Sequence, residues 1–211
     1  MKRNVISIFA FFLLVFATIS SALGQENAQP ETLFKKGNGW KPGFFVAPQF
    51  QLGSIDNSTL ALPGVRAGVQ LGQGLAIGGS FSRSVGEMRP ASEISDQLYM
   101  DMQLGGLLLE FTTAPNKLVH FTFPLVIGAG EVEMDTRERF EYLTGMDDNN
   151  FGEEHFFFIE PSAQLEINLH KYVRLNLGAS YRFVNNASYR GLDHADLSGF
   201  NAVFGIKAGM F

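Results

Sequence analysis

The chain has 211 residues, of which 18% are charged, and its formal net charge is −5 at pH 7. This charge disfavours a general nucleic-acid binder, since such proteins present a basic surface. The chain has no cysteine, which excludes disulfides, zinc–thiolate sites, iron–sulfur clusters and cysteine nucleophiles. Its 23 glycines and 21 phenylalanines are an unusual load, and abundant Phe with low charge indicates an ordered chain.

The N-terminal segment has the three parts of a secretory signal peptide. A short basic start precedes an almost wholly apolar stretch over residues 5–17. Ala22 and Gly24 then supply the small residues at −3 and −1 of a cleavage site after Gly24. The apolar stretch is shorter than the roughly 20 residues of a spanning helix, which disfavours an N-terminal membrane anchor. We therefore expect residues 1–24 to direct export and residues 25–39 to form a flexible periplasmic leader.

From residue 40 onward the sequence alternates between apolar and polar residues, which is the pattern of β-strands with two different faces. The clearest example is 172–183, where Leu175 belongs to the apolar face and Arg174 to the polar one. No helical period competes with this alternation. The predicted strands cover 44–52, 64–71, 75–82, 100–108, 118–130, 157–168, 172–183 and 200–208.

Prolines interrupt several of these strands. Proline cannot donate a ladder hydrogen bond, so within a sheet it favours strand ends or bulges. We therefore expect such irregularities at Pro48, Pro63, Pro124 and Pro161.

The connections between the predicted strands alternate in length. Short ones fall near 72–74, 114–116 and 170–171, and longer ones near 54–59, 84–97, 131–154 and 185–197. Short periplasmic turns alternating with longer extracellular loops are typical of outer-membrane barrels. An even number of strands places both chain ends on the short-turn side. Strands of about 10 residues, when tilted, are long enough to cross a bilayer.

The chain ends on an aromatic residue, Phe211, directly after the last predicted strand. This ending resembles the terminal-Phe assembly signal of bacterial outer-membrane barrels. Across residues 40–211 the strand pattern and the connections resemble the small eight-stranded OmpA/OmpX-type class. The resemblance implies an all-β, antiparallel, up-and-down transmembrane β-barrel in the bacterial outer membrane. It also implies outer-membrane lipid around the barrel and the barrel assembly machinery as a partner during biogenesis.

Apolar faces that meet lipid leave the polar faces to fill the interior. An eight-stranded barrel is only wide enough for its own side chains, and a buried charge persists only when it is paired. We therefore expect a salt-bridged set of inward-facing charged residues, named here the lumen cluster. Its predicted members are Arg66, Asp101, Glu160, Glu166, Arg174, Arg182 and Lys207.

Strand order and parity predict two pairs within the lumen cluster. Glu160 and Arg182 lie on adjacent strands with matching parity, as do Glu166 and Arg174. In the fourth predicted strand, the same reasoning turns Met100 and the apolar residues of its parity outward. We expect the lumen cluster to stabilise the barrel; the alternative is a narrow polar pore, or a gate made by exchanging partners.

The connection 131–154 is strongly acidic, with nine Asp or Glu residues. Divalent cations take several oxygen ligands, so cation binding is an alternative to a solvated surface loop. The stretch 147–154 has candidate ligands but lacks the residue order of an EF-hand loop. We predict no metal site and no cofactor.

Catalytic constellations are weak in this sequence. Lipid A deacylases, which are also small barrels, typically have a His-x-Ser pair. The sequence here that is most similar to this pair is His120-Phe121-Thr122, which has Thr in place of Ser. No nucleophile–base pair is visible, so we predict no catalytic residues. A secreted lipocalin-like carrier would expose charged residues on its outer face, and its G-x-W signature is missing because Asn38 precedes Trp40 by two positions.

The sequence therefore predicts a barrel with a filled polar lumen and a structural or surface-interaction role. Interaction with an extracellular or envelope protein would use the loops 84–97, 131–154 and 185–197. The alternatives are a narrow porin-like channel, a lipocalin-like carrier of small hydrophobic ligands and a lipid A-modifying enzyme. No nucleic-acid partner is expected.

Overall fold

The structure, a computed structural model, describes residues 43–55, 58–72, 74–86, 88, 99–135, 153–185, 188–189 and 192–211. The predicted signal peptide and leader lie outside these ranges. The long strands are β1 (Gly43–Ile55), β2 (Ser58–Gln70), β3 (Leu75–Arg83), β4 (Tyr99–Thr112), β5 (Val119–Asp135), β6 (Glu153–His170), β7 (Val173–Asn185) and β10 (Gly199–Gly209). Two short strands, β8 (Ser188–Tyr189) and β9 (Leu192–Asp193), form a separate hairpin. Within the described ranges, no helix has the length and apolar character needed to cross a membrane.

The eight long strands close into one antiparallel barrel. Their order around the barrel is β1–β10–β7–β6–β5–β4–β3–β2, so the first and last long strands pair with each other. Closure satisfies the backbone groups that a sheet edge would leave unpaired. The predicted fold class, an eight-stranded antiparallel up-and-down β-barrel, is confirmed.

Successive side chains on each strand alternate between the barrel interior and the outer face. On β1, Phe44 is 56% exposed on the outside, whereas its neighbour Phe45 is 1% exposed on the inside. Large apolar side chains cover the outer face of every long strand, including Leu107 on β4 and Phe204 on β10. This arrangement reverses that of a soluble protein, where the apolar side chains are inside.

The face assignment predicted for β4 is wrong. Met100 and Met102 are fully buried in the interior, while Leu107 and Leu109 are exposed on the outside. Apolar residues occupy both parities of this strand, so the alternation alone does not identify the outer face. Glu110 is the charged residue in its central and C-terminal part, and it lies inside.

The first predicted long connection, 54–59, is also wrong. β1 continues to Ile55 and β2 begins at Ser58, with Ser54 paired to Thr59 across the hairpin. Ile and Thr favour extended backbone, so the strands continue up to the turn. The acidic segment 131–154 is shortened in the same way, because β5 extends to residue 135 and β6 begins at residue 153. Its centre, residues 136–152, lies outside the described residues.

The four prolines cause no shift of register. Val46 pairs with Ala208 and Gln49 with Gly205, so the same alignment of β1 and β10 holds on both sides of Pro48. The pairs Phe50–Pro63, Glu110–Pro124 and Leu125–Pro161 likewise fall within continuous alignments. The expectation of bulges or strand ends at the prolines is therefore wrong. The register shift among the described pairs lies between Asn168 and His170.

The barrel interior has two layers of different polarity. The half towards the long connections is apolar, and residues Met88 and Leu197 of those connections are buried with it. The half towards the short turns contains the buried charged side chains and most of the buried amides, whereas the amide of Asn201 lies near the other end. The expectation of a polar lumen therefore holds for the short-turn half alone. The apolar layer includes Ile55, Leu60, Leu62, Met100, Met102, Leu104, Val132, Phe156, Phe158 and Val184.

Candidate functional site

The polar layer of the interior consists of buried side chains from seven of the eight long strands, and hydrogen bonds and ion pairs join most of them into a network. Each residue faces inward because it has the inward parity of its strand. All of these side chains belong to residues no more than 7% exposed. They come from Gln49, Gln51, Arg66, Glu110, His120, Glu160, Gln164, Glu166, Arg174, Asn176, Arg182 and Lys207.

Glu160 on β6 organises the end of the network nearest the apolar layer. Its Oε2 accepts a hydrogen bond from Arg182 Nε at 3.0 Å. Its Oε1 accepts hydrogen bonds from Gln51 Nε2 and Ser180 Oγ, both at 2.9 Å. Arg182 also reaches Met102 Sδ at 3.6 Å, so its guanidinium contacts the apolar layer. Both oxygens of this buried carboxylate therefore have donors, as a buried charge requires.

Glu166, six residues further along β6, organises the end of the network nearest the short turns. Its Oε2 lies 3.1 Å from Arg174 Nη1 and 3.0 Å from His120 Nε2. Lys207 Nζ forms an ion pair with Oε1 of the same carboxylate. Lys207 also donates to Glu110 Oε1 at 2.6 Å. The ammonium group therefore joins two carboxylates on different strands.

Arg66 and Lys207 carry the network across the barrel. Arg66 Nη2 on β2 donates to Gln164 Oε1 on β6 at 3.1 Å, and its Nη1 lies 3.7 Å from Glu110 Oε2. Strands β2 and β6 are four positions apart around the ring of eight, as are β4 and β10. Such strands face each other, so these contacts span the full width of the interior. The network fills the barrel rather than lining its wall.

Charges in the described interior nearly balance. Four cationic side chains, from Arg66, Arg174, Arg182 and Lys207, face the carboxylates of Glu110, Glu160 and Glu166, with His120 beside them. Separating any one carboxylate from its partners would leave buried charge without compensation. Each charged side chain in the network therefore needs its oppositely charged neighbours in order to remain buried.

The C-terminal aromatic ring lies against this network. Phe211 places its ring 3.7 Å from the Arg174 guanidinium carbon, measured to the ring centroid. Phe45 lies beside Lys207 in the same way, at 5.0 Å. Both contacts have cation–π geometry. Phe211 therefore covers the network at the short-turn end, while its role as an assembly signal stays a prediction.

The structure brings six of the seven predicted members of the lumen cluster together inside the barrel: Arg66, Glu160, Glu166, Arg174, Arg182 and Lys207. Both predicted ion pairs, Glu160–Arg182 and Glu166–Arg174, form.

Asp101 does not belong to this cluster. It has the outward parity of β4, and Arg83 Nη2 lies 3.7 Å from its Oδ2 on the outer face. The error follows from the reversed faces of β4. The same error hid Glu110, which sequence reasoning missed. The signal that could have found it was a single acid within the apolar run 107–111.

Both ring nitrogens of His120 have a polar partner. Its Nδ1 lies 3.1 Å from the carbonyl oxygen of Lys117, and its Nε2 faces Glu166. Thr122 Oγ1 contacts Thr112 Oγ1 at 3.1 Å instead of the imidazole. The His-x-Thr spacing therefore does not form a nucleophile–base pair.

The fold is similar to that of several solved outer-membrane proteins. No protein-family model and no curated protein match the chain. Among solved structures, it is similar to Neisserial surface protein A, with a TM-score of 0.57 and 9% identity over 79% of this chain and 96% of that one. The outer membrane protein OprG from Pseudomonas aeruginosa has a TM-score of 0.48 and 9% identity, covering 80% of this chain and 95% of its own. The attachment invasion locus protein Ail of Yersinia pestis has a TM-score of 0.45 and 13% identity, covering 80% and 97%.

At such identities the likeness concerns the fold. The chain has the fold of the small eight-stranded outer-membrane β-barrels. Its own outer face is apolar, and its interior has one apolar layer and one charged layer.

Proposed function

We propose that this protein is a non-catalytic outer-membrane barrel that acts as an envelope structural protein or presents its loops to a partner. The observation that carries the proposal is the interior network that crosses the barrel. Arg66 and Lys207 reach the opposite wall, and the apolar layer follows directly along the axis. Because the interior is filled by side chains, we expect any binding role to use the outer face and the loops.

Placement in the bacterial outer membrane is supported by the apolar outer face. Side chains such as Phe44, Leu107 and Phe204 would be costly in water but suit hydrocarbon. Export would use a signal peptide cleaved after Gly24, and the leader 25–39 would lie in the periplasm. Phe211 would be read by the barrel assembly machinery during insertion.

A surface interaction would belong to the segments 84–97, 131–154 and 185–197. The long strands that flank these segments end on the same side of the barrel. The partner would be an extracellular or envelope protein. The acidic character of 131–154 favours a partner with a basic surface, because complementary charge speeds encounter and disfavours wrong partners.

Two measurements on the full chain test this proposal. Expressed in a Gram-negative bacterium, the protein should fractionate with the outer membrane and migrate faster in an unheated gel than after boiling. Recovery in the soluble periplasmic fraction would contradict it. In planar bilayers the folded protein should give no conductance steps, and regular steps would favour the narrow channel instead.

A further inference from the structure

The hairpin between β6 and β7 turns a histidine onto the outer face of the barrel. Asn168 of β6 pairs with Arg174 of β7. The next pair joins His170 to Val173, which leaves Leu169 as an extra residue on β6. An extra residue re-aims the side chains that follow it, and directly paired residues of an antiparallel ladder share one face. His170 therefore lies on the outward face with Val173, although alternation along β6 alone would turn it inward.

Basic, aromatic and apolar side chains are grouped at this hairpin. The Lys171 ammonium lies 4.8 Å from the centroid of the Tyr172 ring, and the centroids of the His170 and Tyr172 rings are 5.6 Å apart. Leu169 is 60% exposed beside them. The hairpin thus presents two nitrogen-bearing side chains next to an exposed leucine.

The neighbouring turn between β4 and β5 adds a second lysine. Val119 pairs with Ile167, and extending this alignment by two residues brings Lys117 level with Leu169. Asn168 ties the two turns together, because its Nδ2 donates to the carbonyl oxygen of Lys117 at 2.7 Å. The arrangement is therefore fixed before any ligand binds, which lowers the entropic cost of binding. We name these residues the turn patch: Lys117, Leu169, His170, Lys171 and Tyr172.

The two ends of the described barrel differ in the charge that they offer to solvent. Asp101 and Glu131 are among the acidic residues on the outer face towards the long connections. Towards the short turns, the acidic side chains among the described residues are those of Glu110, Glu160 and Glu166, and all three are buried in the interior network. Within the described part of the chain, no side-chain carboxylate lies within ion-pair distance of a basic group of the turn patch. The turn patch therefore complements an anionic group.

The turn patch also borders the apolar outer face of the barrel. The outward pair next to it is Val119 and Ile167, and Val119 is 45% exposed. Lysine can lay its carbon chain along such a surface with its ammonium group in the polar layer, and tyrosine suits the same depth. An apolar surface that ends in cationic groups has the polarity order of an anionic lipid, from acyl chain to headgroup. The exposed Leu169 likewise favours a lipid over a free phosphate ion.

We propose that the turn patch binds one anionic glycerophospholipid of the periplasmic leaflet. Lys117 and Lys171 contact the negatively charged headgroup, and His170 donates a hydrogen bond to it. An acyl chain lies against Leu169 and the outward face of Val119. The inference rests on the proposed outer-membrane placement of the barrel, in which the short turns face the periplasm.

Native mass spectrometry of the folded full chain in detergent tests this inference, with phosphatidylglycerol and phosphatidylethanolamine of the same acyl chains as probes. The wild type should retain one phosphatidylglycerol in preference to phosphatidylethanolamine. Lys117→Gln and Lys171→Gln should each lower phosphatidylglycerol retention by about fivefold, as for a basic residue beside anionic lipid, and change phosphatidylethanolamine retention little. Leu169→Ser should lower the retention of both lipids by about threefold, because the apolar contact does not distinguish headgroups.

Arg83→Gln is the matched control, since it removes the same charge from an exposed side chain at the opposite end of the barrel. It should leave the preference for phosphatidylglycerol unchanged. Equal retention of the two lipids by the wild type would overturn the inference, as would equal effects of Lys171→Gln and Arg83→Gln. Displacement of the lipid by millimolar inorganic phosphate, with no effect of Leu169→Ser, would assign the turn patch to free phosphate instead.

Faster migration in an unheated gel confirms that each variant is folded before its lipid is measured. Because the assay uses folded protein in detergent, its failure leaves the outer-membrane placement standing. Fractionation of cells tests that placement separately.

Discussion

Glu166 shows at the level of a single residue how the interior is held together. Its carboxylate is fully buried and faces Lys207, Arg174 and His120. Burial removes the water that would otherwise solvate these charges, so each depends on its neighbours. The exposed pair of Arg83 and Asp101 has a similar composition but keeps access to water.

Glu166→Gln should therefore lower the free energy of unfolding by about 3–5 kcal/mol, because it leaves buried cations without their counter-charge. Arg83→Gln removes one partner of the exposed pair and should cost less than about 1 kcal/mol. Urea unfolding in lipid vesicles, followed by circular dichroism, measures both. Equal effects of the two variants would show that the interior ion pairs do not stabilise the barrel.

A second prediction at residue scale concerns backbone conformation in the short turns. Ala114 has a φ of 44°, in the left-handed region that disfavours residues with a Cβ. Gly72 has a φ of 125°, in a turn where glycine is required. Ala114→Gly should stabilise the barrel by up to about 1 kcal/mol, and Gly72→Ala should destabilise it by a similar amount. The same unfolding assay checks both signs, and a loss of stability in Ala114→Gly would contradict the account.

At the scale of the element, β4 is the strand whose two faces the amino-acid pattern could not assign. Leucine and methionine occur at both parities, so apolarity does not separate lipid from interior. The structure turns Leu107 out, where it is 69% exposed, and buries Leu108 completely. The difference is decided by the neighbours: Glu110, on the parity of Leu108, must reach Lys207 across the barrel.

Single cysteines at Leu107 and Leu108 test this orientation, because the chain has no other cysteine. A fluorophore attached to Leu107→Cys in vesicles should be quenched by brominated lipid. Leu108→Cys should label poorly and any signal should resist quenching, because that side chain has no access to lipid. The opposite result would restore the orientation that alternation alone suggested.

The whole molecule combines a lipid-facing surface with an interior that is apolar at one end and ionic at the other. Phe211 lies at the ionic end, where its ring covers Arg174. The position gives this residue two separable roles: stabilising the finished barrel and directing its assembly. A cation–π contact contributes about 0.5–1 kcal/mol at an exposed site and about 2 kcal/mol when the cation is desolvated, as it is for the buried Arg174. A larger effect on assembly would therefore have to arise before folding is complete.

Phe211→Ala should therefore strongly reduce the amount of folded barrel in the outer membrane of cells. The barrel should still refold in detergent, and its free energy of unfolding should fall by no more than about 2 kcal/mol. Met210→Ala is the matched control, since Met210 is also exposed and adjacent. Unheated gels of membrane fractions and of refolded protein measure the two effects. Equal yields of Phe211→Ala and Met210→Ala in cells would remove Phe211 from the assembly step.

The amino-acid sequence by itself determined the class of fold and most of its interior. Period-two alternation is a local property, because neighbouring side chains on a strand must face opposite sides. It assigned Glu160, Glu166, Arg174 and Arg182 to one surface, and adjacency along the chain paired them. The same reasoning could not extend to the partners of Lys207, whose contacts come from strands on the far side of the barrel.

Only the tertiary structure decided which face of β4 looks inward, how far the hairpin at residues 54–59 extends, and that the lumen is apolar at one end. These features depend on closure, which brings β2 opposite β6 and β4 opposite β10. The side chains at such positions contact residues that are distant in sequence and that come close only when the barrel closes. A local sequence pattern therefore cannot predict these contacts.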